Sequence, residues 1–439
     1  MGRFNFHYGW IVVFTGMLVT IGAHGFGRMS YTLILPEMRQ GLDLTHTQAG
    51  LIATGNFIGY MAFALIGGFL AAKYGSRLVI SLSLLLMGIT LILTGVAETF
   101  GMAFLMRLLT GLGNGGAYVP ALALGSTWFV VQKRGFATGI VSGGIGIGTL
   151  LASFMVPSIL VAYGDIGWRY AWFWLGALVI IISIIAYIFL RSRPEDIGLK
   201  LVGEEFSSSD SRNKREDNTG SGKENKEGNL GPKPSSPAAL QWGLVYRVKE
   251  VWFLGIVYFM YGFSYVIYMT FFVDFLSETG LTVPEASAMW ARVGALSIFC
   301  GVIWGRISDV LGRNYGAALA YLTLGSSYLI FALFDAIPAF YISAVLFGIS
   351  AWSIPTIMVA TSGDYVGPRL APAAAGFITV FFGIGQLLGP AVGGYVRDVT
   401  GVYTFAFLLA AAVSGVGLVG SLFLRRPPTS LEQNSGFSR

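Results

Sequence analysis

The stretch Gly68-Phe-Leu-Ala-Ala-Lys-Tyr-Gly-Ser-Arg77 returns in altered form as Gly305-Arg-Ile-Ser-Asp-Val-Leu-Gly-Arg-Asn314, which sets Gly68 and Gly75 on Gly305 and Gly312 at an offset of 237. A distant segment keeps the same register: Gly139, Gly146 and Gly148 fall on Gly376, Gly383 and Gly385 with no gap. Two segments so far apart share one offset when the chain is duplicated. These glycines lie in or beside long apolar runs, so the duplicated unit is a set of membrane helices, the usual ground plan of a secondary transporter.

Composition agrees. The 439 residues are 54% hydrophobic and 11% charged, with 60 glycines, and the mean hydropathy is +0.69. A soluble domain carries roughly 25% charged residues, so this chain turns its apolar surface to lipid. The single cysteine, Cys300, excludes an intramolecular disulfide. The formal charge of +6 does not point to nucleic acid, because the basic residues gather in short loops on one side.

A spanning helix needs about 20 mostly apolar residues. By that rule the chain reads as twelve spans: 9–35, 47–71, 77–97, 100–130, 135–161, 168–190, 250–277, 284–308, 314–333, 338–363, 370–395 and 402–424. With the N-terminus in the cytoplasm, inner loops and tail hold Lys73, Arg77, Lys133, Arg134, Arg313, Arg369, Arg425 and Arg426, whereas outer loops hold Arg39, Arg169 and Arg397. That asymmetry is the positive-inside pattern, and twelve spans return the C-terminus to the cytoplasm. No cleavable leader is evident.

Residues 191–249 break the pattern with Ser207-Ser208-Ser209-Asp210 and the run Arg212-Asn213-Lys214-Arg215-Glu216-Asp217. Such a stretch cannot bury enough apolar surface to offset its ordering entropy. The expected organisation is therefore a six-helix half over 1–190, a mobile cytoplasmic linker over 191–249, a second half over 250–424 and a tail over 425–439.

Gly68-x-Leu70-Ala71-x-Lys73-Tyr74-Gly75-x-Arg77, between the second and third spans, resembles the signature of the major facilitator superfamily, and its echo from Gly305 to Arg313 sits where that superfamily repeats it. Arg107-Leu-Leu-Thr-Gly111-Leu-Gly113-Asn114-Gly115-Gly116 resembles its fourth-helix arginine motif, and Arg193-Pro194-Glu195-Asp196-Ile197-Gly198-Leu199 the segment closing its sixth helix. Within the superfamily, His7-Tyr8-Gly9-Trp10 and the run from Trp128 through Lys133-Arg134-Gly135-Phe136-Ala137-Thr138 to Gly139 are similar to the bacterial relatives of monocarboxylate and oxalate/formate carriers. Ala72 stands where the first loop motif has an acid, which Asp309 keeps in the second, and Gly301 stands where the monocarboxylate pattern has an arginine. The resemblance implies an all-α membrane protein of twelve helices in two pseudo-symmetric bundles, working by alternating access. It implies a bacterial inner-membrane location and a monomer, and gives Gly68, Gly75, Arg77, Arg107, Gly305, Asp309, Gly312 and Arg313 conformational or structural roles.

Charges at depth carry the substrate reading. Arg28 lies about 10 Å and Arg292 about 12 Å from the outer ends of spans 1 and 8, at about 1.5 Å per residue. A charge near a helix centre costs about 2.5–3.5 kcal/mol, so both are expected to face a watery cavity, where a guanidinium fork suits a carboxylate. The bland alternative is an ion pair with Asp274 or Glu37. Tyr258, Tyr261, Tyr265 and Tyr268 share one face of span 7, and Tyr265 is the repeat equivalent of Arg28. Tyr261 and Tyr265, with Asn114 and Tyr118 on span 4, complete the candidate substrate site; Asn56, Trp352 and Gln386 are weaker nominations. Each has the alternative of ordinary packing. Asp274 and His24 are the candidate proton carriers, His24 because it titrates near neutral pH.

No Walker sequence, nucleophile motif or metal-ligand spacing is present. The sequence therefore calls for no enzyme activity, no cofactor and no metal. Its partners are the bilayer and a small, anionic solute, with protons one of the coupling choices left open beside anion exchange and uniport. An exporter of amphipathic or drug-like compounds and a transporter-like membrane sensor stand as the alternatives.

Overall fold

The computed structural model describes residues 7–203, 242–367 and 370–424. Twelve long helices cross it: α1 (Tyr8–Gly41), α2 (His46–Tyr74), α3 (Ser76–Gly95), α4 (Phe100–Trp128), α5 (Val131–Tyr163), α6 (Gly167–Phe189), α7 (Lys249–Glu278), α8 (Val283–Leu311), α9 (Arg313–Leu333), α10 (Ile337–Val366), α11 (Ala371–Thr400) and α12 (Thr404–Leu422). Among the described residues, nine helical stretches are long and apolar enough to cross a bilayer, and α2 makes a tenth across a 42° bend. One of the nine, Gln132–Phe189, holds both α5 and α6. α4 completes the set, its hydropathy diluted by Arg107, Asn114 and its glycines. The protein is an integral, multi-pass membrane protein. Arg369, Arg425, Arg426 and residues 204–241 of the linker lie outside the described residues.

The first bundle packs α2 on α4 and α3 on α6; the second packs α7 on α11 and α9 on α12. α2 meets α11 and α5 meets α8 across the seam between bundles, and α1 touches α7. Lipid offers little hydrophobic drive between helices, so small residues that admit close backbones supply the packing. A Cβ on Gly25 would come within 2.4 Å of the Gly148 Cα. The repeat equivalents behave alike: one on Gly262 would meet the Phe382 carbonyl, and one on Gly385 the Phe259 carbonyl at 2.5 Å. At the seam, Gly146 lies against the Gly294 carbonyl of α8, while its equivalent Gly383 lies against Met61 of α2. Gly139, Gly143 and Gly376 meet nothing within 4 Å of such a Cβ.

The two copies of the opening motif turn alike. α2 ends at Gly75 with φ 88°, ψ 141°, and α8 ends at Gly312 with φ 92°, ψ 151°. Both are left-handed-side values that a side chain resists, which is why a glycine closes each segment and the next helix starts one residue later. Around the second turn Arg313 donates to Asp309 at 2.5 Å and to Asp364 at 2.9 Å. Around the first, Arg77 instead donates to the Tyr187 carbonyl at 2.7 Å and lies over the Tyr187 ring.

The linker expected from 191 starts with a seated segment. Pro194–Ile197 forms a 3₁₀ turn, and Val202 exchanges backbone hydrogen bonds with Trp128 and Val130 at 2.9 and 3.2 Å. Gly9 accommodates it, since a Cβ there would meet the Val202 side chain at 2.4 Å.

Candidate functional site

The site starts from a widened turn in α1. Residues Ile21–Met29 form a π-helix, with Ser30 N reaching back five residues to the Gly25 carbonyl at 3.1 Å. Such bulges are rare and concentrate where side chains are re-aimed for function. Gly22, Gly25 and Gly27 make this one cheap to pack, and α4 holds it from the side. Asn114 Nδ2 donates to the Ala23 carbonyl at 2.6 Å and Arg107 Nη1 to the Gly27 carbonyl at 2.7 Å. Asn114 and Arg107 thus spend hydrogen bonds on shaping α1.

The π-segment carries His24 and Arg28 inward, both buried. Arg28 Nη2 donates to the Tyr265 hydroxyl at 3.2 Å, and Nη1 lies 3.4 Å from His24 Nε2. A guanidinium only donates, so His24 accepts there and its ring proton sits on Nδ1. The guanidinium carbon is 4.2 Å from the Phe57 ring centroid and 5.2 Å from that of Tyr60. Gln386 of α11 also donates to the Tyr265 hydroxyl. Arg28 and Tyr265 are repeat equivalents, so the bond between them sits on the pseudo-twofold and joins the bundles. Among the described residues no carboxylate pairs with Arg28 or Arg107.

A cavity of about 440 Å³ lies between α4, α5, α8 and α10, running from Gly135 to Gly146 along α5 and bounded by Tyr118, Ser142, Trp352 and Pro355. It reaches the arginine through aromatic neighbours. The Tyr118 ring is 4.0 Å from that of His24, and the Trp352 ring is edge-on to Tyr265 at 6.1 Å. Gly139 and Gly143 line it, consistent with the open space around them.

Tyr261 stacks on Tyr265 at 4.5 Å, but its hydroxyl is already committed to the Ala351 carbonyl. Pro355 explains the need: four residues after Ala351 it offers no N–H, and α10 breaks there at Ala351 and Trp352. Tyr268 likewise bonds Ser343 at 2.7 Å. The other sequence candidates fall elsewhere. Arg292 does not join Arg28: its side chain is exposed, donating to its own helix at the Ala288 carbonyl (2.7 Å) and covering the Tyr341 ring. The expectation that Arg292 faces a watery cavity together with Arg28 is corrected, because Arg292 sits on the face of α8 that turns away from the seam.

Asp274 lies at the α1–α2 end of the molecule, where a network closes the seam. Arg39 Nε is 3.2 Å from Asp274 Oδ2, and Tyr403 donates to the same oxygen. Glu278 takes His46 Nε2 at 3.1 Å and Arg397 at 3.0 Å. Asp398 of α11 accepts from the His46 and Thr47 backbones at 3.0 and 2.7 Å, so one bundle caps the first turn of a helix in the other. Sequence reading named Asp274 and missed His46, Glu278 and Asp398; the signal available was only that all lie at the ends of predicted spans.

The family assignment follows. Residues 17–257 match the Major Facilitator Superfamily model, and 233–422 match that of an uncharacterised MFS-type transporter, YbfB. The chain belongs to the major facilitator superfamily and is a transporter. It is 26% identical to a probable sulfoacetate transporter, SauU, of Cupriavidus necator, over 90% of this chain and 89% of that one. It is 22% identical to a hexuronate transporter of Bacillus subtilis (91% of each chain) and 24% identical to monocarboxylate transporter 12 of Rattus norvegicus (92% and 82%). A bacterial homologue of the lysosomal transporter Spinster, solved inward-facing and unoccupied, superposes with a TM-score of 0.70 at 17% identity, covering 96% of this chain and 95% of its own.

Proposed function

We propose that this transporter carries a small organic anion, a carboxylate, by secondary active alternating access. The observation that carries the reading is Arg28: a buried cation on the pseudo-twofold, without a carboxylate partner among the described residues, hydrogen-bonded to Tyr265 and His24 and set against the Phe57 and Tyr60 rings. A cation left uncompensated in a membrane interior is stabilised by an anionic solute arriving through the cavity, and the guanidinium can offer it two parallel hydrogen bonds. Tyr118 and Trp352, in the cavity wall, then border the solute's remainder, and Gln386 holds the Tyr265 hydroxyl beside Arg28. The relatives named for sulfoacetate, hexuronate and monocarboxylates support an acidic cargo.

In the proposed orientation both termini face the cytoplasm, so the closed network at the α1–α2 end is the outer gate and the cavity opens inward. Asp274 is the single buried carboxylate among the described residues, and it sits in that gate. Protonating it would cancel its pairing with Arg39, which gives proton symport a structural route; anion exchange needs only the Arg28 site. The test is uptake of labelled mono- and dicarboxylates into proteoliposomes. Saturable uptake supports the proposal; no uptake, with efflux of lipophilic cations instead, would reassign the chain to export of amphipathic compounds.

A further inference from the structure

Between Arg28 and Arg107 lies a second, much smaller space. It offers about 10 Å³ to the centre of a water-sized sphere, room for about one such particle. Arg28, Thr32, Asn56 and Arg107 line it together with the apolar Phe57 and Met269. Tyr31 and Thr270 also line it. Arg28, Thr32, Asn56 and Arg107 are each at least nine-tenths buried, and each keeps an atom without a hydrogen-bond partner: Arg28 Nε, Thr32 Oγ1, Asn56 Oδ1 and Arg107 Nε. A buried polar atom left unpaired calls for an occupant. Here the unpaired set is dominated by donors. Two N–H groups belong to guanidiniums, a hydroxyl can turn to donate, and only the Asn56 carboxamide oxygen is an obligate acceptor.

Charge says more about the occupant than hydrogen bonding does. Arg28 and Arg107 place two positive charges on one enclosed wall, and no carboxylate pairs with either among the described residues. The aromatic faces of Phe57 on Arg28, and of Tyr31 and Trp172 on Arg107, disperse these charges without neutralising them. A neutral water would satisfy donors and leave both charges standing. A single small anion satisfies the donors and cancels one of the two charges, leaving one for an organic anion on the other side of Arg28.

We propose that this cavity is a binding site for a monatomic anion of the halide class, separate from the organic-anion cavity. The separation rests on geometry: Arg28 lines the small space, its Nη1 and Nη2 turn toward His24 and Tyr265, whose rings neighbour Tyr118 and Trp352 in the wall of the 440 Å³ cavity, and Nε is left for the small one. An organic carboxylate is too large for the small space, so the two anions would occupy opposite sides of one guanidinium. The occupant would hold the Arg28 fork in place and also stabilise α1 against α4.

The probe is chloride, exchanged for sulfate at constant ionic strength, with the full-length protein in detergent and no carboxylate present. The expected result is a saturable rise of several degrees in melting temperature with chloride or bromide and none with sulfate, as for any ligand bound only by the folded state. Thr32→Val, which keeps the side chain's shape and removes its hydroxyl, should raise the half-saturating chloride concentration several-fold. Arg107→Lys should raise it further if that variant folds; Thr32→Val carries the test if it does not. Crystals grown in bromide should show anomalous density between Arg28 and Arg107. A melting temperature indifferent to halide means that water alone fills the space and overturns the proposal, as does bromide density confined to the larger cavity.

Discussion

Arg28→Lys keeps the positive charge and removes the fork, which makes it the sharpest probe of cargo recognition. In the native site the guanidinium spends Nη2 on Tyr265 at 3.2 Å and lies within 3.4 Å of His24. A lysine ammonium is a compact point charge that cannot present two coplanar donors to one carboxylate. The variant therefore loses one charge-assisted hydrogen bond to the cargo. Such a bond contributes about 1.5–3 kcal/mol, which converts to roughly 10- to 150-fold in affinity at about 1.4 kcal/mol per factor of ten. KM for labelled carboxylate uptake into proteoliposomes should rise by that range, while melting temperature reports whether the protein remains folded. A folded Arg28→Lys protein whose KM stays within about twofold of the parent would refute bidentate recognition at this residue. Tyr265→Phe supplies the companion measurement, since it keeps the stack on Tyr261 and removes only the hydroxyl that tethers Arg28.

Three further outcomes follow from the packing and the gate. Gly148→Ala and its repeat equivalent Gly385→Ala each force a Cβ onto neighbouring backbone, at 2.8 Å from the Gly25 Cα and 2.5 Å from the Phe259 carbonyl, so each should destabilise by about 1–3 kcal/mol; Gly376→Ala, with nothing within 4 Å, should leave the melting temperature unchanged, and equal effects at all three would defeat the argument. Asp398→Ala strips the acceptor that caps His46 and Thr47 across the seam, a loss of about 0.5–2 kcal/mol; spin labels at Gln40 and Thr400 should then show a larger population of long distances, and an unaltered distribution would mean the cap does not hold the gate. Asp274→Asn should abolish uptake driven by a proton gradient while sparing exchange of one carboxylate for another, and retention of proton-driven uptake would remove Asp274 from coupling.

The linear sequence determined the architecture because its signals are local or repeated. Span length is set by bilayer thickness, so apolar run length alone located the twelve helices. Gly75 and Gly312 mark the same turn in both halves because each adopts a backbone conformation that side chains resist. The offset of 237 even anticipated that Arg28 and Tyr265 occupy equivalent positions. That they bond to each other is a consequence of a pseudo-twofold axis passing between them, and only the folded bundles have an axis.

Which way a helix turns was a different matter. In water a helix declares its inner face by amphipathicity, but in lipid both the core and the surroundings are apolar, so the pattern that would have separated Arg28 from Arg292 is missing. Arg28 points to the seam because the π-segment widens α1 and Arg107 and Asn114 hold it there. Arg292 points out and covers Tyr341. The network at the α1–α2 end joins residues as distant as Thr47 and Asp398, a pairing that no local rule contains. Helix count, length and duplication were legible because lipid and backbone impose them residue by residue; the partners of each buried charge were decided when two bundles closed on each other.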